Sequence, residues 1–386
     1  MKRKIFSLVT ALCMALTMGL PISAYADTVG QAALRDKAVP FSALQTQTEQ
    51  LIVEGRYDYT QSSKILKQVN KERKAAGAES LVMDPQLQEA AMARAAEIAL
   101  FFDHQRPDGT ECFTISDKIY GENIAAGQAN AEEAMDSWMN SPGHRANILD
   151  SRYRSIGVGS FTQGYQNYWV QVFGIEKGQS SDKTGVRTKK QTIRALPEEL
   201  TVFISDNRTT NLFKGRSLHI DTYAAYAIMN GGRSPVQLKP ETFRWKSSSS
   251  AVSVTAAGKA TAKMPGCATI TGTLPVSRKT VRKKIRVPEL PPQVRLKSLA
   301  SAKKGQLTVS WIRNGTVSGY QTVIAQNKSF TKGKKTALIK EKQTGRKIFQ
   351  NLSGKKTYYA KVRAYKLYGN EKLYGPYSKV MKKKIK

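Results

Sequence analysis

His104, Glu122 and His144 are the residues whose types could do chemistry together. The chain holds three histidines, and Glu122 lies 18 residues after one of this pair and 22 before the other. A neutral imidazole can take up a proton or bind a metal. Two histidines and a carboxylate make a three-ligand zinc site with an open position. An ion held there would lower the pKa of bound water. The spacing is not the local His-Glu-x-x-His arrangement of one helix, so the fold must bring the three together. The same residues could instead form a buried hydrogen-bond network that ties a loop to a helix. Ser141, three residues before His144, reads as the N-cap of a short helix rather than a nucleophile. Cys112 is near His104 in sequence but lies in no cysteine-protease motif.

These residues fall in the segments 103–109 (DHQRPDG), 121–125 (GENIA) and 138–149 (WMNSPGHRANIL), with 168–174 (YWVQVFG) following. The elements around them are legible. Ile65, Leu66 and Val69 begin a helix that Gly77 ends. Asp84 and Pro85 cap a second, continued at helical spacing by Leu87, Ala90, Ala91, Arg94, Ala95 and Ile98. Asn130 and Glu133 form a capping box before Ala134 and Trp138. Pro142 opens the helix that carries His144 two residues in, where the helix dipole disfavours a charged imidazole. Residues 156–159 and 168–173 read as two strands around the turn Gln163-Gly164.

In this order the four segments resemble the CAP superfamily, in the bacterial SCP-like form that lacks the eukaryotic disulfides. The resemblance covers about residues 60–178. It implies an α+β three-layer α-β-α sandwich with a central cleft that holds two His and two Glu. His104, Glu122 and His144 match three of those positions, and Glu111 is the nearest candidate for the fourth. The resemblance implies binding of a lipid-like or apolar ligand, or of a divalent metal such as zinc on His104, Glu122 and His144. A metal-dependent hydrolase acting through the same cleft is the alternative.

The remaining chain divides by composition. Lys2, Arg3 and Lys4, an uncharged apolar run to Leu20 and Ala24-Tyr25-Ala26 read as a secretory signal peptide over 1–26. Residues 27–59 read as a leader, 60–178 as the CAP domain and 179–199 as a polar linker. From 200 the apolar runs shorten between Gly, Pro and Ser, which is all-β punctuation. Residues 200–288 resemble a bacterial Ig-like group 2 sandwich, carried by Phe243 to Lys246, Val252, Val254 and 268–270. There His219 reads as an ordinary strand residue. Residues 291–386 resemble a fibronectin type III domain, with Leu307, Val309 and Trp311 alternating and Tyr358 in the tyrosine-corner position. Two all-β sandwiches therefore follow the first domain.

Forty per cent hydrophobic residues exclude wholesale disorder, and three cysteines exclude a disulfide scaffold. Sixty-two Lys and Arg against 29 Asp and Glu give +33, unevenly spread. Residues 60–178 carry 12 basic against 15 acidic, and 291–386 carry 24 against 2. A basic domain on an exported chain points to an anionic cell-wall polymer or another polyanion as partner. Tyr359, Lys361, Arg363 and Tyr365 read as the outward face of one strand, either a plain solvated face or one whose interleaved aromatics and cations bind glycan or polyanion. The sequence predicts no transmembrane segment in the mature chain, and free thiols at Cys112 and Cys267.

Overall fold

The computed structural model describes residues 47–181, 183–226 and 235–386. The expected signal peptide lies outside them, as do most of the expected leader and residues 227–234. The chain begins with β1 (Glu49–Asp58), α1 (Tyr59–Ala75), β2 (Val82–Met83) and α2 (Pro85–Leu100). A 3-10 turn (Cys112–Ile115), β3 (Gly121–Ala126), α3 (Ala131–Met139) and α4 (Pro142–Leu149) follow. A hairpin of β4 (Ser155–Gln163) and β5 (Gln166–Gly174) leads to β6 (Val186–Ala195).

The caps work largely as the sequence predicts. The Asp84 carboxylate accepts from the backbone N–H of Gln86 and Leu87. Asn130 accepts from the N–H of Glu133, whose carboxylate reaches back to the N–H of Ala129. Asp58 caps α1, which therefore starts a full turn before its first predicted apolar residue.

Helices pack on both faces of the sheet. Leu87, Ala91 and Ala95 of α2 share one core with Val170 and Val172 of β5. On the other face, Ile65 of α1, Trp138 of α3 and Ile148 of α4 pack with Val158, Trp169 and Phe173. Two glycines set how closely α2 approaches. A Cβ on Gly157 would stand 2.1 Å from the Leu87 carbonyl oxygen, and one on Gly159 2.1 Å from that of Ala91. The helix backbone lies directly on β4 because these residues have no side chains.

Three expectations are corrected here. The segment 179–199 is not only a linker: β6 pairs antiparallel with β1 along all ten residues, from Glu49↔Ala195 to Asp58↔Val186. Nor does residue 60 open the domain: residues 49–58 of the expected leader form β1, with Leu51, Val53 and Tyr57 fully buried in the core. The sheet also runs past the expected boundary at 200. β7 (Leu200–Ile204), β10 (Thr222–Tyr226) and β11 (Val236–Leu238) join it through Val53↔Leu238, giving nine strands. β8 (Thr210–Asn211) and β9 (Ser217–His219) lie between them in sequence. His219 is an exposed strand residue, as expected.

Residues 200–288 complete a sandwich of two further sheets. One joins β12 (Arg244–Ser247), β15 (Gly266–Thr273), β16 (Thr280–Val287) and β8; the other joins β13 (Val252–Val254), β14 (Lys259–Ala262) and β9. Val252, Ala260, Ala268, Ile270 and Ile285 form the core between them.

Residues 291–386 form a three-stranded and a five-stranded sheet. The first holds β17 (Leu296–Ala300), β18 (Leu307–Trp311) and β21 (Arg346–Phe349). The second holds β19 (Gly319–Ala325), β20 (Lys335–Ile339), β22 (Thr357–Tyr368), β23 (Glu371–Tyr374) and β24 (Met381–Lys384). Tyr358, Ala360, Val362 and Ala364 all face the shared core, as their alternation predicts. The Tyr358 hydroxyl accepts from the Ser353 N–H at 3.4 Å, the upstream contact a tyrosine corner makes. Tyr365, expected on the outer face, is 1% exposed and packs against Tyr374.

Candidate functional site

Glu122 sits on β3, the strand at one end of the sheet, and its side chain is 1% exposed. A buried carboxylate needs partners, and Glu122 has three hydrogen bonds. Arg94 of α2 donates from Nε to Oε2 at 2.8 Å and from Nη2 to Oε1 at 3.1 Å. His104 Nδ1 lies 2.9 Å from Oε1. Burial works to raise the Glu122 pKa, but the Arg94 charge and the bonds from His104 and Arg94 hold it below the usual carboxylate range.

The network continues away from Glu122. Arg94 Nη1 donates to Glu97 Oε2 at 2.9 Å, and Nη2 to the Asp103 carbonyl at 2.8 Å. Arg106 meets Glu97 through Nη2 at 2.7 Å. Two buried arginines and two buried glutamates thus alternate beneath the loop that carries His104. That loop is fixed through Asp103 and Arg106, so His104 is placed from below while its side chain stays 29% exposed.

On the neighbouring strand position the next residue, Asn123, points to the opposite face. Its Nδ2 donates to the His144 carbonyl at 3.1 Å and to Gln171 Oε1 at 2.9 Å, and its Oδ1 accepts from Asn147 at 2.9 Å. These bonds dock α4 onto β3. They bring His144 within electrostatic range of His104. Burial first, and then the His104 charge, push the His144 pKa below its ordinary value.

Two polar atoms in this corner have no hydrogen-bond partner among the described residues. They are His144 Nδ1 and Ser141 Oγ, both buried. Ser141 occupies the N-cap position of α4, yet its hydroxyl caps nothing, which corrects the role expected of it.

The predicted residues therefore meet in part. Among the described residues, one group of possible ligand atoms lies within 4.8 Å of one another: His104, Cys112 and Glu122. His144 is outside that group, and Glu111 is exposed beside the buried Cys112. Burial and the Glu122 charge push the Cys112 thiol well above its ordinary pKa. Both described cysteines are free, as expected. Sequence reasoning missed Arg94, Glu97 and Cys112 as members of the site. The available signal was Arg94 itself, a charged residue in an otherwise apolar helical register.

Residues 66–173 match the family model described as CAP, the cysteine-rich secretory protein family. This segment is a CAP domain. The chain is 40% identical over 118 residues to the uncharacterized protein YkwD of Bacillus subtilis (strain 168), a match covering 28% of this chain and 45% of that protein. It thus spans less than half of that relative. Among solved structures it is similar to an extracellular protein containing a SCP domain from Bacillus anthracis str. Ames, at 24% identity over 31% of this chain and 41% of that one, with a TM-score of 0.29. It is also similar to an outer surface protein from Borrelia burgdorferi, at 18% identity over 31% and 96%, with a TM-score of 0.28. A fibronectin III domain of a human protein matches at 17% identity over 25% and 82%, with a TM-score of 0.21. Among the described residues, no helix is long and apolar enough to cross a membrane.

Proposed function

We propose that the chain is an exported bacterial surface protein whose CAP domain, a three-layer α-β-α sandwich, binds a ligand at the His/Glu centre. Residues 1–26 act as its export signal. The Ig-like and fibronectin type III-like regions act as spacer and adhesion modules, the latter docking on anionic wall polymer. The observation that carries the ligand reading is the pair of buried, unpartnered atoms His144 Nδ1 and Ser141 Oγ. An unmade buried hydrogen bond costs about 1–3 kcal/mol. A polar ligand group that bonds either atom recovers that atom's share of the cost, and the neutral His144 suits an uncharged hydroxyl or amide better than a carboxylate.

The second reading is a metal-linked site, favoured by the nitrogen, sulfur and oxygen donors of His104, Cys112 and Glu122. That set suits a zinc-type ion, which when bound would supply Lewis-acid chemistry. His104 and Glu122 would hold it, with Cys112 in reach and His144 beside them. Arg94 already neutralises Glu122, so an ion there must share the carboxylate with a resident cation. This weighs for binding over hydrolysis.

The test is NMR of the His104 and His144 ring signals during titration with phospholipid micelles and, separately, with zinc. Shifts of His144 with micelles support the apolar-tailed, polar-headed ligand. Shifts of both rings with stoichiometric zinc support the metal-linked site. Unmoved rings in both titrations overturn the reading.

A further inference from the structure

The basic charge is not confined to the C-terminal domain. Residues 200–288 carry 15 Lys and Arg against 3 Asp and Glu. Strand geometry sorts much of that charge onto one face. In β16 the alternation is strict: Arg282, Lys284 and Arg286 are exposed, while Val281, Ile285 and Val287 face the core. Lys283, the one cation on the inner side, is consumed there, donating to the carbonyls of Asp206 and Arg208 at 2.7 and 3.0 Å.

The outer face forms a grid. Lys246 stands opposite Thr271, and Thr271 opposite Arg282. Arg244 stands opposite Thr273, Thr269 opposite Lys284, and Cys267 opposite Arg286. A column of threonines on β15 is thus flanked by cations from β12 and β16. No carboxylate pairs with any of these five cations among the described residues, although nearby Lys190, Lys239 and Arg208 are paired. Same-face residues along a strand are about 6.7 Å apart and neighbouring strands about 4.8 Å. An extended phosphodiester chain repeats its charge at a comparable spacing. Lying along β15, it would accept hydrogen bonds from the threonine hydroxyls and meet a cation on either side.

We infer that the outer face of β12, β15 and β16 is a docking surface for a linear aliphatic phosphodiester polymer. Charge complementarity fixes the sign of the partner. Composition favours its class: the only aromatic side chain of these strands, Trp245, turns inward and donates to the Pro240 carbonyl at 2.8 Å. Single-stranded nucleic acid binding relies on aromatic platforms for the bases, and this face has none. The surface is distinct from the His/Glu centre and from residues 291–386, and would add a second anionic-polymer contact to the adhesion proposed for them.

The test measures binding of the full chain to poly(glycerol phosphate) across a salt series. Three proteins are compared: the unmodified chain, the Arg282→Gln/Lys284→Gln/Arg286→Gln variant and the Lys67→Gln/Lys71→Gln/Lys74→Gln variant of α1, which has the same loss of charge and lies outside residues 291–386. All six substituted residues are exposed, and circular dichroism checks that both variants keep the fold. The β16 variant is expected to lose tenfold or more in affinity at low salt. The slope of log K against log salt should fall in magnitude by about 2, since each contact to a single strand contributes about 0.7. The α1 variant should lose clearly less. Equal losses in both variants would reduce the effect to net charge and overturn the proposal, as would unchanged binding of the β16 variant. Equally tight, equally face-dependent binding of a single-stranded oligonucleotide would overturn the assignment to an aliphatic polymer.

Discussion

Arg94 spans the whole carboxylate of Glu122, one guanidinium nitrogen on each oxygen, with both side chains essentially sealed from water. Such a pair is costly to build and costlier to break. Removing one partner strands the other charge in the interior, at about 3–5 kcal/mol. Glu122→Gln is therefore expected to destabilise the fold by roughly 3 kcal/mol, read as a lower urea midpoint at pH 7. The sign of the pH dependence follows from the depressed carboxylate. Its stabilisation is present above the unfolded pKa of about 4.3 and is lost as pH falls through the lower folded value. The variant should lack that part of the acid loss. A variant that melts like the parent across the whole range would show that the pair contributes nothing net.

His144 gives a shift of the same sign, acting in a higher pH window. Its folded pKa is lowered, chiefly by burial. Above the unfolded value of about 6.5 both states are neutral and the residue contributes no pH dependence. As pH falls below that value the unfolded chain takes up a proton first, so the folded state loses ground until its own pKa is passed. His144→Gln should flatten stability in that window, while a ring titration should place the His144 midpoint below 6.5. A midpoint above that would contradict the burial seen here.

Much of this was readable in the residues, for unequal reasons. The caps at Asp84 and Asn130 depend on three or four neighbours, so local spacing sufficed. The meeting of His104 with Glu122 depends on a loop returning over a strand, and only the family resemblance carried it. β6 was hidden because just Ile193 and Ala195 among its residues are buried. An edge strand covered in Lys, Arg and Thr has no two-residue apolar period to read. β1 was obscured by Gly55, which interrupts Leu51, Val53 and Tyr57 because a Cβ there would strike the Phe161 ring at 2.2 Å. Arg94 was seen as part of an apolar helix face, and nothing local could say that a carboxylate waited opposite.

The close seat of α2 on β4 makes its own prediction. Gly159→Ala places a methyl against the Ala91 carbonyl, which belongs to helix backbone and cannot swing aside. The helix must shift, at roughly 2–3 kcal/mol for an overpacked core. Since α2 also carries Arg94, the substitution should disturb the His104 ring signal as well as the melting point. Gly315→Ala, with nothing within 4 Å of the added carbon, is the control. Equal melting of the two variants would refute the close contact.

Full-length pairing of β6 with β1 makes residues 186–195 part of the sheet rather than an exposed linker. Truncation after Gly178 would strip β6 and leave the hydrogen-bonding edge of β1 bare. The shortened chain should aggregate or melt at lower temperature than one ending at 290. Limited proteolysis should spare 186–195 and cut first near 288–293, where the described chain is free of helix and strand. Rapid cutting inside β6 would mean that the strand does not hold in solution.

The last prediction concerns the cations of β22, which the sequence set on an outward face, solvated or polymer-binding. Lys361 Nζ lies 4.1 Å from the Phe330 ring centre and 4.3 Å from that of Tyr377. Arg363 lies 3.9 Å from Tyr374 and 4.4 Å from Tyr377, and its Nε donates to Gln321 at 2.8 Å. The Tyr377 hydroxyl donates to the same oxygen at 2.9 Å. These charges are stacked within the domain, and Tyr365 is buried beneath them. Their removal should therefore cost stability more than it costs adhesion. Lys361→Met is expected to lose about 0.5–1 kcal/mol, as one exposed cation–π contact would. Arg363→Met should lose roughly 1–2 kcal/mol, because a charge-assisted hydrogen bond goes with the stacking. Urea unfolding of the C-terminal transition measures both. If neither substitution moves that transition while polymer binding collapses, the stack is a binding surface and the outward, polymer-facing role holds after all.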